Sequence, residues 1–164
     1  PKNMFLWVDV AKDIIKKQEN VRFVIAGGGV LSDKIISYVA IQELSNYFIF
    51  LGDVSYDDLP DIYGAADAFL LTSYYEGFGR VIVEANLAGI PVVSTKCTGP
   101  EDIIQDGETG YLCDMDDKKC LSSRVLKLLN NEKQQEISLR AKEHVGRLFN
   151  RTYLADLLVK LWLK

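Results

Sequence analysis

Ser73-Tyr-Tyr-Glu76-Gly-Phe-Gly79-Arg-Val-Ile-Val-Glu84-Ala-Asn-Leu-Ala-Gly89-Ile-Pro91-Val-Val-Ser94 is the stretch whose reading decides the fold. It reads as the end of a buried strand, a glycine-broken loop, a helix start and a second strand. One glutamate lies in the loop and another inside an otherwise apolar helical run. A carboxylate between Val83 and Ala85, on a short helix wedged between apolar strands, is costly to bury without a partner. Glu84 is therefore expected to meet a donor from the protein or from a ligand.

Working outward, the same alternation continues in both directions. Upstream, Met4, Phe5, Val8, Ala11, Ile14 and Ile15 follow helical spacing within Asn3 to Lys17, which predicts an amphipathic helix. Val21 to Ala26 is a β-rich run that ends in Gly27-Gly-Gly29, followed by a helix over about Leu31 to Leu44. Phe48 to Leu51 is the next strand, Asp57 to Tyr63 a brief helix with acidic residues in its first turn, and Ala68 to Thr72 a continuous apolar strand. Downstream, Pro91 to Thr95 and Gly110 to Leu112 read as strands. The remainder is helical in three pieces: 117–129, 132–149 and 151–163. Near-continuous apolar strands alternating with helices predict an α/β domain, a doubly wound parallel sheet covered on both faces, with a helical C-terminal tail. In such sheets ligands sit at the carboxyl ends of the strands. The loops after Ala26, Leu51, Thr72 and Thr95, all rich in glycine, serine or acidic residues, are expected to converge there.

Composition narrows the class. The 164 residues, 48% hydrophobic and 26% charged, suffice for one domain or one lobe of something larger. A net charge of -4 supplies no basic stripe, which excludes nucleic acid as a general partner. Cys97, Cys113 and Cys120 lack metal-ligand spacing and read as reduced, intracellular thiols. No secretory signal is visible, and no apolar run approaches the roughly 20 residues that span a bilayer. Pro1-Lys2-Asn3 has no initiator methionine and leads at once into a helix, so the chain is expected to be excised from a longer protein.

Several chemistries fall away. Gly27-Gly-Gly29 lacks the third glycine of a dinucleotide fingerprint, and no Gly-Lys-Ser/Thr phosphate loop exists. His144, the single histidine, lies on a surface-patterned helix, which leaves no triad or histidine metal site. Glu76 and Glu84 raise glycoside hydrolysis; a helix-interior position for Glu84 favours binding over proton transfer, and two ribose hydroxyls would satisfy it. Glu76-Gly-Phe-Gly79 opens a helix whose amides and partial positive charge suit an anion. Gly99-Pro100-Glu101 begins another helix on the same sheet edge, and together the two would suit a diphosphate.

Glu76-Gly-Phe-Gly with a Glu-x7-Glu spacing to Glu84, then Ala88-Gly89, Pro91-Val-Val, Gly99 and Asp106-Gly-Glu-Thr-Gly110, resembles the signature of glycosyltransferase family 4, the group 1 retaining enzymes. The likeness extends upstream through Phe23-Val-Ile-Ala-Gly27, Phe50-Leu-Gly52, Leu59-Pro-Asp-Ile-Tyr63 and Ala65-Ala-Asp67, and so covers nearly the whole chain. It implies one Rossmann-like lobe of a GT-B fold, residues 1–164 being the C-terminal lobe that binds a nucleotide-diphosphate-sugar, with the N-terminal acceptor lobe absent. By resemblance, Glu84 holds the ribose and Glu76 the transferred sugar. Gly77, Phe78 and Gly79 meet sugar or phosphate, and the backbone near Val54 reads the base. Gly28, Gly99 and Pro100 complete the donor contacts, and Lys2 stabilises the departing diphosphate, with Asn3 standing where the family commonly has glycine. No metal or other cofactor is implied. The acceptor would be a glycan or lipid, and the location cytoplasmic, with any membrane contact made through the missing lobe. Two further readings stay open on the same scaffold: a nucleotide-binding module without transfer activity, and a sugar-nucleotide epimerase or hydrolase.

Overall fold

The computed structural model describes residues 2–129 and 131–150, so the last helix expected from sequence, 151–163, lies outside the described residues. The order is α1 (Met4–Ile15), β1 (Phe23–Ala26), α2 (Ser32–Ile41), β2 (Phe48–Gly52), α3 (Leu59–Gly64), β3 (Phe69–Leu71), α4 (Arg80–Leu87), β4 (Val92–Thr95), α5 (Thr98–Ile103), β5 (Gly110–Cys113), α6 (Lys118–Leu128) and α7 (Asn131–Leu148). Every strand pairing is parallel. The α/β class expected from the alternation is therefore what forms.

The strands do not make one continuous sheet. β1 and β2 form a two-stranded sheet, and β3, β4 and β5 a three-stranded one in that order. Phe23 pairs with Phe48, and their rings stack with centroids 5.4 Å apart. All four residues of β4 are buried, as a central parallel strand requires. β2 differs: Ile49, Phe50 and Leu51 are exposed, so the covering of both faces expected from its apolar run holds only for the larger sheet.

α1 ties the two sheets together because it is apolar on two sides. Leu6, Val10 and Ile14, at i, i+4, i+8, pack with Val93, Tyr111 and the α6 residues Leu121, Val125 and Leu128. Val8, Ala11 and Ile15 pack with Ile35 and Val39 of α2 and with Phe48. On the opposite face of the larger sheet, Ile82 and Ala85 of α4 meet Val92, Ile103 and Val145 of α7. Among the described residues no helix is long and apolar enough to cross a membrane.

The cysteines depart from expectation. Cys113 and Cys120 are joined by a disulfide, and only Cys97 is free, in a buried position. Cys113 ends β5 and Cys120 lies in the first turn of α6. The turn between them brings the two Cα atoms to 5.8 Å, within the span a disulfide bridges.

Candidate functional site

Glu84 has the donors its position demands. Arg80, one turn earlier on α4, places Nε 3.1 Å from Oε1. The hydroxyl of Tyr63, from α3, donates to Oε2 at 3.2 Å. The carboxylate side chain remains 25% exposed, so it keeps access to a ligand. Burial, and then the negative charge of Glu84, push the Tyr63 phenol far above its ordinary value, which keeps it a hydrogen-bond donor at any physiological pH. The Arg80 guanidinium also lies 5.1 Å from the centroid of the Tyr56 ring.

These residues open on one cavity of about 900 Å³, whose wall includes Lys2, Val54, Tyr56, Thr72, Arg80 and Glu84. Lys2 reaches it because the chain bridges to Ser73 just beyond β3. The amide of Asn3 donates to the Thr72 carbonyl at 2.9 Å, and the Thr72 hydroxyl returns a bond to the Asn3 carbonyl at 2.7 Å. The side chain of Asn3 is fixed in turn: its Nδ2 donates to the Tyr74 hydroxyl at 2.7 Å and to Asp116 Oδ1 at 3.2 Å. Tyr74 donates to the same Asp116 oxygen at 2.9 Å. That bond holds the phenol proton and raises the Tyr74 pKa.

The loop Glu76 to Gly79 leads into α4 and lies outside the cavity wall itself. Gly79 caps the helix at φ 81°, a left-handed conformation that glycine adopts without strain. No side chain caps this helix start; the Ile82 amide is taken by the Gly79 carbonyl at 2.8 Å, and the partial positive charge of the helix start suits an anion. Gly77 and Phe78 are exposed. The carboxylate of Glu76 makes no hydrogen bond or ion pair among the described residues, while its backbone carbonyl accepts from the Gly99 amide at 2.8 Å.

That last bond alters the expected second helix start. Gly99 and Pro100 are buried, and a Cβ on Gly99 would lie 2.7 Å from the Glu76 carbonyl oxygen and 2.7 Å from the Phe78 carbonyl carbon. Gly99 thus permits close approach of two loops, and its amide is engaged within the protein. Beneath them, burial pushes the Cys97 thiol pKa up, with an opposing contribution from a backbone contact to Glu76. Gly28 donates its amide to Asp53 Oδ1 at 2.9 Å, so it joins the loops of the smaller sheet and does not line the cavity.

The structure therefore brings Lys2, Val54 and Glu84 to one cavity, sets Glu76, Gly77, Phe78 and Gly79 on the loop that leads into α4, and leaves Gly28 and Gly99 in loop-to-loop contacts and Pro100 buried at the start of α5. Sequence reasoning missed Arg80, Tyr63 and Tyr56. Arg80 was findable from its i, i+4 relation to Glu84. The meeting of Tyr63 and Tyr56 with α4 depends on tertiary packing and left no local signal.

Comparison with known proteins bears on this geometry. A family model described as glycosyl transferases group 1 matches residues 1–144. The chain is 34% identical over 134 residues to the 2-deoxystreptamine N-acetyl-D-glucosaminyltransferase of Niallia circulans, covering 82% of this chain and 34% of that relative. A mutant of TarM from S. aureus, solved in complex with Fondaparinux, alpha-GlcNAc-glycerol and UDP, superposes with a TM-score of 0.90 at 26% identity, over 99% of this chain and 33% of TarM. Anabaena HepE, solved with UDP and glucose, shares the fold with a TM-score of 0.85 at 23% identity, over 98% of this chain and 44% of HepE. The chain spans about a third of the length of the curated relative.

Proposed function

Because the chain belongs to the group 1 glycosyl transferases, we propose that it is the C-terminal, donor-binding lobe of a two-lobed GT-B enzyme. That enzyme transfers a sugar from a nucleotide diphosphate to an acceptor hydroxyl, with retention of anomeric configuration, in polysaccharide or glycolipid synthesis. The isolated lobe has no transfer activity, since the acceptor side belongs to the other lobe. The UDP bound to TarM supports a uridine diphosphate sugar as donor, and the activity named for the Niallia relative supports N-acetylglucosamine as its sugar.

The observation that carries this reading is the Glu84 carboxylate, oriented by Arg80 and Tyr63 on the wall of a cavity that Lys2, Val54 and Thr72, beyond the carboxyl ends of the strands, also line. Held by one donor on each oxygen, it accepts two further hydrogen bonds from vicinal hydroxyls, which a ribose offers. Val54 and Tyr56 line the same wall for the base. The uncapped start of α4 provides amides for the phosphates. The Lys2 ammonium offsets charge that develops on the departing diphosphate, an electrostatic role that strengthens as water is excluded. The Glu76 carboxylate, which has no hydrogen bond or ion pair among the described residues, is left to accept from sugar hydroxyls.

The test is a transfer assay on the intact enzyme with UDP-N-acetylglucosamine and other UDP-sugars, with the anomeric configuration of the product read by NMR. Retention, together with a fall in kcat for Glu76→Gln larger than the change in KM, is the expected result. An inverted product, or release of free sugar or epimerised donor without acceptor, would replace this reading.

A further inference from the structure

Cys113 ends β5 and Cys120 lies in the first turn of α6, so the disulfide between them closes Asp114 to Lys119 into a ring. Side chains of that ring hold three other segments. Asp114 Oδ1 accepts from Lys96 Nζ, in the loop after β4, at 2.8 Å. Asp116 Oδ1 accepts from the Tyr74 hydroxyl at 2.9 Å and from Asn3 Nδ2 at 3.2 Å. Asn3 follows Lys2 directly and caps α1, its Oδ1 accepting from the Leu6 amide at 3.2 Å. Asp116 reaches these partners from φ 61°, a left-handed conformation that a residue other than glycine keeps only where its surroundings impose it. Closing so short a ring removes most alternative conformations of the loop. The cross-link is also open to reagents, because Cys113 is buried while Cys120 is only partly so.

We propose that the Cys113–Cys120 disulfide is a reversible redox site, opened by a dithiol, whose closure keeps Asp116 on Asn3 and Tyr74 and so positions Lys2. A thiolate of the dithiol attacks Sγ of Cys120, the accessible sulfur. A mixed disulfide forms there, the protein S–S bond breaks, and Cys113 Sγ leaves with the electron pair and takes up a proton. The second thiolate of the reductant then attacks the first sulfur, forming a disulfide within the reductant. Cys120 is released as a thiolate in the first turn of α6, where the positive end of the helix favours it. Two electrons have passed from the dithiol to the protein, and the same compound in its disulfide form is the oxidant of the reverse step. With the ring open, Asp116 relaxes from its left-handed conformation and releases Asn3, and with it the backbone beside Lys2. The consequence for turnover rests on the role given to Lys2 in the proposed reaction; the release of Asn3 does not.

The intact enzyme, equilibrated with mixtures of reduced and oxidised dithiothreitol, tests this. Alkylation and peptide mass spectrometry read the state of Cys113 and Cys120, and hydrogen exchange and transfer kinetics are measured on both forms. The pair is expected to interconvert reversibly. Amides of the 114–119 ring and the Leu6 amide should exchange about fivefold faster when it is reduced, and kcat should fall roughly threefold with a smaller change in donor KM. In Asp116→Ala the Leu6 amide should exchange fast and kcat be low in both forms, so that reduction adds nothing further. Cysteines that remain thiols across the whole range would overturn the proposal. So would exchange unchanged on reduction, or a fall in kcat that persists undiminished in Asp116→Ala. Faster exchange with full turnover would support the redox control of Asn3 and overturn the role of Lys2.

Discussion

Glu84 and Asp116 each gather groups from separate elements, and each sets a residue-scale expectation. Removing the Tyr63 hydroxyl by Tyr63→Phe leaves Glu84, among the described residues, with its Arg80 ion pair. The cost should be about 1 kcal/mol of stability, the size of a typical intramolecular hydrogen bond, measurable by denaturant unfolding. Asp116 sits at φ 61° and binds both Asn3 and Tyr74, fixing the backbone that carries Lys2. Because its hydrogen bond is the first cause of the raised Tyr74 pKa, Asp116→Ala should return that phenol toward its ordinary value of 10.0, read from ring carbon shifts by NMR. An unmoved Tyr74 titration would break the link. The need of Glu84 for a donor was legible from its apolar neighbours. Which donors it met was only half legible, since Arg80 follows from helix spacing and Tyr63 comes from an element 21 residues away.

Element boundaries followed local chemistry closely where a strand or helix was strongly patterned. α1 lies inside the predicted span from Asn3 to Lys17, with the Asn3 side chain accepting from the Leu6 amide. The disulfide was not legible, because a seven-residue separation says nothing of whether the intervening turn folds the two sulfurs together. The role of Gly99 was likewise hidden: a glycine at a helix start suggests an anion site, whereas here it admits the backbone of the Glu76 loop. Gly99→Ala should therefore displace that loop and cost about 1–3 kcal/mol, with a matching loss of sugar-dependent turnover. A melting temperature unchanged from wild type would show that the contact is not tight. At the α1–α6 seam, Asp13 pairs with Lys16 and Lys118, and the Lys16 hydrogen bond leads in holding its carboxyl below 3.8. A depressed carboxylate stabilises above its unfolded pKa and loses that contribution as pH falls through the folded value. Asp13→Asn should thus lower stability by about 0.5 kcal/mol near neutral pH and flatten part of the decline below pH 3.8, as followed by thermal melts.

At the scale of the molecule, the two sheets are held by the two apolar faces of α1, and the cavity lies between them. The alternation of apolar strands with helices was enough to read the α/β class. It could not show that the strands split into two groups, because each reads alike whether its neighbour is present or not. That division leaves a cavity between the two sheets, with Ile49 and Leu51 of β2 exposed and on its wall. The central claim concerns what binds at the mouth of this cavity. Calorimetric titration of UDP into the intact polypeptide, wild type against Glu84→Ala, tests it most directly. The account predicts that wild type binds and that Glu84→Ala weakens binding at least tenfold, about 1.4 kcal/mol; UDP bound as tightly by Glu84→Ala as by wild type would contradict it.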